Sequence, residues 1–390
     1  MYMQDSKREL NRHDRDFLYL LCCAVNDLQP DLKRIGPMNP EIIMNMADQH
    51  GVSAMTAGVL IRSGVKSSFR GEWKQSIDQA QRAAVLFAFE RSAIEDYCER
   101  NEIRYMFLKG HLFQQYYPVY GMREMADIDI LTDASGCGLL RQFLIDRGYT
   151  LENTDESNHD AYHKPPLLNI EVHSRLFRRE LEPGFAEYYQ NVFDRLLPVS
   201  GKKQGCCFSR EDFYIYHILH AVKHLHYGGI GVKALTDTCL FRRKEKDLDL
   251  QYIKRELRKL AADTEEGLLA KIAEKVLSPD AALNGFDLTE EETACLLNII
   301  DAGAYGTVTN YIRTQMGDDR DGKKLSPGSK AGYLWQRLYP GQDSYKDRYP
   351  FFYRHKWAYP LLPAYRLIRA IRKDKGKSIA DEIKGLMKLK

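Results

Sequence analysis

The chain has 390 residues, of which 44% are hydrophobic and 28% are charged, and its formal net charge is +3. This composition is that of an ordinary globular protein and excludes a disordered or fibrous chain, while the length predicts two or three packed units. No apolar run approaches the ~20 residues that a membrane-spanning helix needs, so we expect a cytoplasmic protein without a membrane span.

The first hundred residues have the residue spacing of helices. Apolar side chains recur every three to four positions between residues 73 and 87, as they do on the buried side of an amphipathic helix. Asn101 ends this pattern. We therefore predict an N-terminal helical region over residues 1–100.

The next hundred residues alternate between strand and helix patterns. Residues 103–108 form a compact apolar run that predicts a strand followed by a turn. Polar and apolar residues alternate over residues 126–132 and again over residues 168–173, which predicts two further strands. A polar stretch without a strand pattern occupies residues 152–160. The alternation predicts an α/β core over residues 101–200.

Helical spacing returns over residues 210–312, which predicts a C-terminal helical domain. A basic, aromatic-rich tail with an amphipathic helix is predicted over residues 331–390, since residues 351–390 contain eleven Lys or Arg and only three Asp or Glu. The predicted fold class is thus α+β (mixed α/β), in which a small mixed sheet with helices is flanked by N-terminal and C-terminal helical regions.

Asp127 and Asp129 are the first candidates for chemistry. Residues two apart on a strand point to the same side, with Cα atoms about 6.6 Å apart, so both carboxylates can share divalent cations. Mg²⁺ prefers a few carboxylates together with substrate phosphates, which indicates phosphoryl or nucleotidyl transfer. Glu171, on the polar side of the strand at 168–173, is the predicted third acid. The alternative is that Asp-x-Asp marks a solvated strand end.

Three segments taken together resemble a known family. The chain resembles a family of uncharacterised bacterial nucleotidyltransferases within the DNA polymerase β superfamily, and the resemblance covers most of residues 14–245. In that superfamily the first strand leads through a Gly-containing turn into a helix, and the second strand carries two metal-binding acids. The segments that carry the resemblance are Leu108-Lys109-Gly110, Met122-Arg123-Glu124-Met125-Ala126-Asp127-Ile128-Asp129-Ile130-Leu131 and Ile170-Glu171-Val172-His173.

The resemblance implies a nucleotidyltransferase that depends on Mg²⁺ or Mn²⁺. Such an enzyme transfers a nucleoside monophosphate from an NTP to an acceptor hydroxyl and releases pyrophosphate. By this resemblance the catalytic and metal-binding residues are Asp127, Asp129 and Glu171, and the residues that contact the nucleotide are Lys109, Gly110, Arg123 and His173.

The sequence departs from the superfamily at the phosphate-binding turn. The superfamily commonly has Gly-Ser or Gly-Gly there, whereas this chain has Lys109-Gly110-His111. Gly110 still allows a phosphate to approach backbone N–H groups at a helix start, and Lys109 supplies a point charge in place of the hydroxyl. The missing hydroxyl motivates an alternative, in which the chain is a catalytically inactive binding or regulatory module of the same fold.

Three other groups of residues have two interpretations each. Arg123 either neutralises a triphosphate or pairs with the acids, since a guanidinium suits both anions. His220 and His224 have the spacing of zinc ligands on a helix, and the alternative is helix packing or nucleotide contact. Asp237 is interpreted as a local cap or ion-pair partner rather than as a general base.

The acceptor is a small molecule, a protein side chain or an RNA end. The basic tail, which contains Tyr353, Trp357, Tyr359 and Tyr365, supports an RNA-end-modifying nucleotidyltransferase as a further alternative, because aromatic rings among cations stack bases and follow a nucleic-acid backbone. In the simpler interpretation the tail is a charged helix that packs through its apolar side.

Overall fold

The computed structural model describes residues 8–154, 159–304, 350–363 and 365. Within these ranges every helix is too short or too polar to span a bilayer.

The chain divides into two compact units. One comprises Tyr2–Lys223 and Gly231–Ala304, and the other comprises Met1, His224–Ile230 and Tyr305–Lys390. The first unit combines many helices with a small mixed sheet, which confirms the predicted mixed α+β fold class.

The N-terminal part of the first unit is helical. Asn11 accepts a hydrogen bond from the backbone N–H of Asp14, and the Asp14 carboxylate accepts one from the backbone N–H of Asn11. This reciprocal pair satisfies N–H groups that a helix start leaves without partners. The helices are α1 (Arg12–Val25), α2 (Leu32–Ile35), α3 (Pro40–His50), α4 (Ser53–Ser63) and α5 (Arg70–Arg100).

The main sheet of the first unit follows α5. Its strands are β1 (Tyr105–Phe107), β2 (Ile128–Thr132), β3 (Thr150–Thr154), β4 (His159–Lys164) and β5 (Leu168–His173). Their order in the sheet is β1-β2-β5-β4-β3, with β2 and β5 parallel and the other neighbours antiparallel. Strands β1, β2 and β5 lie where the sequence predicts strands, whereas β3 and β4 include residues of the predicted polar stretch.

Side-chain alternation divides this sheet into an apolar and a polar face. Ile130 and Val172 belong to a buried cluster that also contains side chains of α5 and of α7 (Ala134–Asp146), the helix after β2. Asp129 and Glu171 are one residue out of phase with this cluster and therefore lie on the opposite face. The apolar packing fixes the two strands from behind and holds their acids in position.

A short helix, α6 (Gly110–Gln114), connects β1 to the loop before β2. Its Phe113 ring lies 4.9 Å from Phe213 and 6.2 Å from Phe241, measured between ring centroids. These aromatic contacts anchor the turn at Lys109 to the C-terminal helices, and they are worth about 0.5–1.5 kcal/mol each beyond the area they bury.

The remaining described elements of the first unit are mainly helical. A 3-10 helix (Val192–Arg195) and a two-stranded sheet precede the helices that carry Phe213 and Phe241. These elements are α8 (Pro183–Tyr188), β6 (Leu197–Pro198), β7 (Cys206–Cys207), α9 (Arg210–Tyr227, which ends in the second unit), α10 (Lys233–Lys244), α11 (Leu250–Lys259), α12 (Asp263–Leu277), α13 (Pro279–Asn284) and α14 (Glu290–Ala302).

In the second unit, the described residues near the C-terminus form α15 (Pro350–Arg354) and a 3-10 helix (Lys356–Leu361). Phe352, Ala358 and Leu362 form a small buried cluster between them. Most of the predicted tail, including most of its amphipathic helix, lies outside the described residues, and its binding of nucleic acid stays a prediction.

Candidate active site

The parallel pairing of β2 and β5 brings two predicted acids together. Asp129 and Glu171 are direct partners in the register, so both carboxylates lie on the polar face of the sheet. Asp127 lies immediately before β2 and not within it, since the strand begins at Ile128. The Asn169 amide donates to the Ala126 carbonyl oxygen at 3.2 Å and holds the chain at that point. The structure thus groups all three predicted acids near the start of β2, with Glu171 on the neighbouring strand beside Asp129.

His173 connects two of these acids. Its Nε2 lies 2.8 Å from Asp129 Oδ1 and 3.4 Å from Glu171 Oε2. Burial alone would lower the pKa of His173, but the hydrogen bonds to Asp129 and Glu171 outweigh burial and raise it. A carboxylate only accepts hydrogen bonds, so Nε2 carries the proton and donates. His173 therefore contacts the acids in this structure, whereas the sequence predicts that it contacts the nucleotide.

Lys109 places an ammonium beside the same acids. Its Nζ lies 3.5 Å from Asp129 Oδ2. Burial would lower the pKa of Lys109, but the negative charge of Asp129, together with that of Asp127 and Glu171, outweighs burial and raises it. Lys109 has φ 42° and ψ −100°, a left-handed conformation that costs of order 1–3 kcal/mol for a residue with a Cβ atom. The turn is thus held in a strained conformation at the position predicted to bind phosphate.

The acids of this site differ in their protonation. Burial raises the pKa of Asp127 to about 7, and the neighbouring Asp129 carboxylate adds to the shift. Burial also acts to raise the pKa of Asp129, but Lys109 and His173 outweigh it and hold that pKa well below its usual range. The negative charge of the three carboxylates therefore exceeds the positive charge of Lys109 and His173, and Asp127 is the acid that takes up a proton.

Asp127 gives the metal-free protein a pH-dependent stability. Because its pKa is about 7 in the folded protein and 3.8 ordinarily, the folded state binds the proton more tightly than the unfolded chain does. We expect this carboxyl to lower the free energy of unfolding by on the order of 2 kcal/mol as the pH rises from about 4 to about 7. Denaturant unfolding in EDTA should show Asp127→Asn gaining stability over the wild type between about pH 5 and pH 8. A gain that is equal at both pH values would contradict this expectation.

Arg123 pairs with Asp237, which is not one of the three predicted acids. Its Nε and Nη2 donate to Asp237 Oδ1 and Oδ2 at 2.8 and 2.7 Å, and the Tyr117 hydroxyl donates to Oδ1 at 2.7 Å. Asp237 is therefore an ion-pair partner, but the prediction of a local pair is wrong, because Arg123 lies 114 residues away. A Cβ atom added at Gly110 would come within 3.3 Å of Arg123 Nη1, so the third nitrogen of the guanidinium lies beside the start of α6.

A cavity of about 270 Å³ borders the acids in the first unit. Asp127 and Asp129 form part of its wall. Burial lowers the pKa of His111 to about 3, with Arg91 and Arg123 adding to the shift, so this imidazole is neutral at physiological pH. The other lining residues include Phe87, Arg91, Leu108, His111, Gln114, Gln115, Tyr120 and Met125. The volume is near the lower limit for small-molecule sites.

The helix face that contains several histidines takes part in packing. His217 forms a hydrogen bond with the Thr238 hydroxyl at 2.9 Å, and its ring lies 4.7 Å from that of Phe113. Among the described residues, the group of three metal-type ligands that lies close together is elsewhere, at His159, Glu171 and His173.

Sequence reasoning missed His159, because β4 was not predicted as a strand. The local sequence gives little signal for this strand, because residues 159–164 (His-Asp-Ala-Tyr-His-Lys) do not alternate strictly between polar and apolar side chains. Sequence reasoning also missed that Arg123 and Asp237 meet, for which the local sequence offers no signal.

A mixed sheet that presents clustered carboxylates beside a cavity is typical of proteins that transfer phosphoryl or nucleotidyl groups. The family model described as "Uncharacterised nucleotidyltransferase" matches residues 36–278, which include all of the predicted site residues. The chain belongs to this nucleotidyltransferase family.

Part of the chain is also similar to a solved structure. The crystal structure of an antigenic nucleotidyltransferase-like protein from Paracoccidioides brasiliensis is 16% identical, with 47% of this chain and 92% of that chain covered and a TM-score of 0.24. No curated protein matches the chain.

Proposed function

We propose that this protein is a Mg²⁺-dependent enzyme that transfers a nucleoside monophosphate from an NTP to an acceptor hydroxyl, with release of pyrophosphate. The observation that carries the proposal is the register pairing of Asp129 with Glu171, with Asp127 next to them at the wall of a cavity. Family membership supports the same reaction class.

The donor set fits a hard divalent cation. Asp127, Asp129 and Glu171 offer the carboxylate oxygens that Mg²⁺ prefers, and the raised pKa of Asp127 indicates negative charge that a cation would stabilise. These three residues would hold Mg²⁺ or Mn²⁺, which when bound supplies positive charge to the transferring phosphate.

The other residues of the site would bind and orient the NTP. The Lys109 ammonium, 3.5 Å from Asp129, is a point charge that would contact a phosphate oxygen, and Arg123 Nη1 lies beside Gly110 while Nε and Nη2 remain hydrogen-bonded to Asp237. Burial acts to raise the pKa of Glu171, but its hydrogen bond with His173 and the positive charges of His159 and His173 together outweigh burial and lower that pKa. Glu171 is therefore ionised at neutral pH and able to accept the proton of the acceptor hydroxyl.

One observation favours a second candidate, a module that binds nucleotide without transferring it. The Lys109 ammonium lies on Asp129 and already neutralises part of the charge that would attract a metal ion. For this second candidate, the Lys109 ammonium takes the place of a metal ion beside the Asp129 carboxylate. Binding of an NTP would then not depend on Mg²⁺.

The test is calorimetric binding of each of the four NTPs with and without Mg²⁺, followed by pyrophosphate release from whichever NTP binds. We expect one NTP to bind at least about tenfold more tightly with Mg²⁺ than in EDTA, because the three carboxylates repel a triphosphate that arrives without a metal ion. Pyrophosphate release identifies the enzyme. Binding that is equal in EDTA, without release, would support the module, and no binding of any NTP would reject both candidates.

A further inference from the structure

A second set of metal-type ligands lies on β4 and β5. In the antiparallel register His159 is the partner of His173, and Ala161 is the partner of Glu171. Since alternate residues of a strand share a face, both imidazoles and the Glu171 carboxylate lie on the polar face of the sheet. Ala161 contributes only a methyl group opposite Glu171. One ligand atom from each of His159, Glu171 and His173 lies within 4.8 Å of the other two.

The separations in this group approach those of a metal centre. His173 Nε2 lies 3.4 Å and His159 Nε2 lies 3.7 Å from Glu171 Oε2. Ligand atoms around a tetrahedral ion with bonds of 2.0–2.1 Å are about 3.3 Å apart. The two imidazole rings lie side by side, with centroids 4.9 Å apart. An ion would take the place of the proton on His173 Nε2, which is released to solvent, and a small change of side-chain rotamers would then bring all three ligands onto that ion.

The surroundings of the group favour a cation. Asp129 Oδ1 lies 2.8 Å from His173 Nε2, so a second carboxylate converges on the same imidazole. His173 and Asp129 are both buried, where the attraction between a cation and a carboxylate is stronger than in water. An ion bound by the two imidazoles would thus also be attracted by the Asp129 carboxylate, part of whose charge Lys109 neutralises.

We propose that His159, Glu171 and His173 bind a divalent transition-metal ion of the Mn²⁺ and Zn²⁺ class. Mg²⁺ and Ca²⁺ prefer oxygen ligands, whereas imidazole nitrogens select transition metals, so two histidines distinguish this site from an all-carboxylate site. The site shares Glu171 with the proposed Mg²⁺ site. It does not depend on nucleotide transfer, because its ligands are in place whether or not an NTP reacts.

The experiment uses Mn²⁺ with the full-length, nucleotide-free protein. Mn²⁺ is the probe because the chain has eight cysteines, whose thiolates would compete for Zn²⁺. Equilibrium titration in excess Mg²⁺, which keeps the probe from the three-carboxylate site, followed by electron paramagnetic resonance, measures the affinity, and pulsed spectra report whether ¹⁴N nuclei are coupled to the bound ion. We expect nitrogen coupling in the wild type and an affinity at least about tenfold lower in His159→Ala, since it loses one of three ligands.

His163→Ala is the matched control, because His163 lies on the same strand and bonds Asn169 at 2.6 Å, outside the ligand group. Its Mn²⁺ affinity should equal that of the wild type. Bound Mn²⁺ without nitrogen coupling, or unchanged affinity in His159→Ala, would overturn this inference and leave the proposed nucleotidyl transfer standing. Nitrogen coupling in a protein that binds no NTP would instead retain the metal site and reject the transfer.

Discussion

Replacement of both Asp127 and Asp129 by asparagine is expected to lower nucleotide turnover by about 10³-fold or more. The double variant keeps the size of both side chains but removes two of the three carboxylates that would hold Mg²⁺ and stabilise charge on the transferring phosphate. Pyrophosphate release measured at saturating Mg²⁺ and NTP checks this. The lost activity should not return at higher Mg²⁺, because neutral amides do not replace the charge of carboxylates.

The matched control for this experiment is Asp160→Asn. Asp160 is the register partner of Val172, so it lies on the opposite face of the sheet from Glu171, and it pairs with Arg141 at 2.6 Å. This variant removes a carboxylate from the same sheet without touching the site, and its turnover should match the wild type. Turnover retained in the double variant would reject the assignment of the reaction to these acids.

Replacement of Asp237 by alanine is expected to destabilise the protein by about 3–5 kcal/mol. The Arg123 side chain is only 11% exposed and that of Asp237 only 4%, so the substitution leaves a buried guanidinium without its counter-ion. Since domains commonly have a stability of about 5–15 kcal/mol, this is a large fraction of the total. Urea unfolding of the wild type and of Asp237→Ala, followed by far-ultraviolet circular dichroism, measures the difference.

Two further variants test the physical reason for this loss. The double variant Arg123→Met, Asp237→Leu removes both charges and should recover much of the stability, because no unpaired charge remains buried. Arg141→Met breaks the pair with Asp160, in which the arginine side chain is 46% exposed, and should cost less than about 1 kcal/mol. If Asp237→Ala costs no more than Arg141→Met, the buried pair does not stabilise the fold.

Local sequence was sufficient to predict the strands that hold the acids. The alternation in β2 and β5 follows from burial of Ile130 and Val172 on one face, and this alternation alone places Asp129 and Glu171 on the other. The alternation and the position of each acid depend only on neighbouring residues within one strand. The sequence therefore indicated these acids without knowledge of the tertiary structure.

The contacts that adjust the site depend on packing between distant segments. Lys109 was predicted to contact phosphate, but an isolated turn gives no indication that its ammonium lies 3.5 Å from Asp129. The position of Arg123 depends equally on α10, which supplies Asp237. Short-range periodicity contains no information on such pairs, so they emerged only from the assembled fold.

The long sequence separation between Arg123 and Asp237 also affects biosynthesis. At about 5–20 residues per second, a ribosome needs roughly 6–23 s to add the 114 residues between them. During that interval the nascent chain already contains Asp129 and Glu171, whereas the guanidinium still lacks its counter-ion. Every nascent chain therefore passes through a stage at which Asp129 and Glu171 have been translated but Asp237, the ion-pair partner of Arg123, has not.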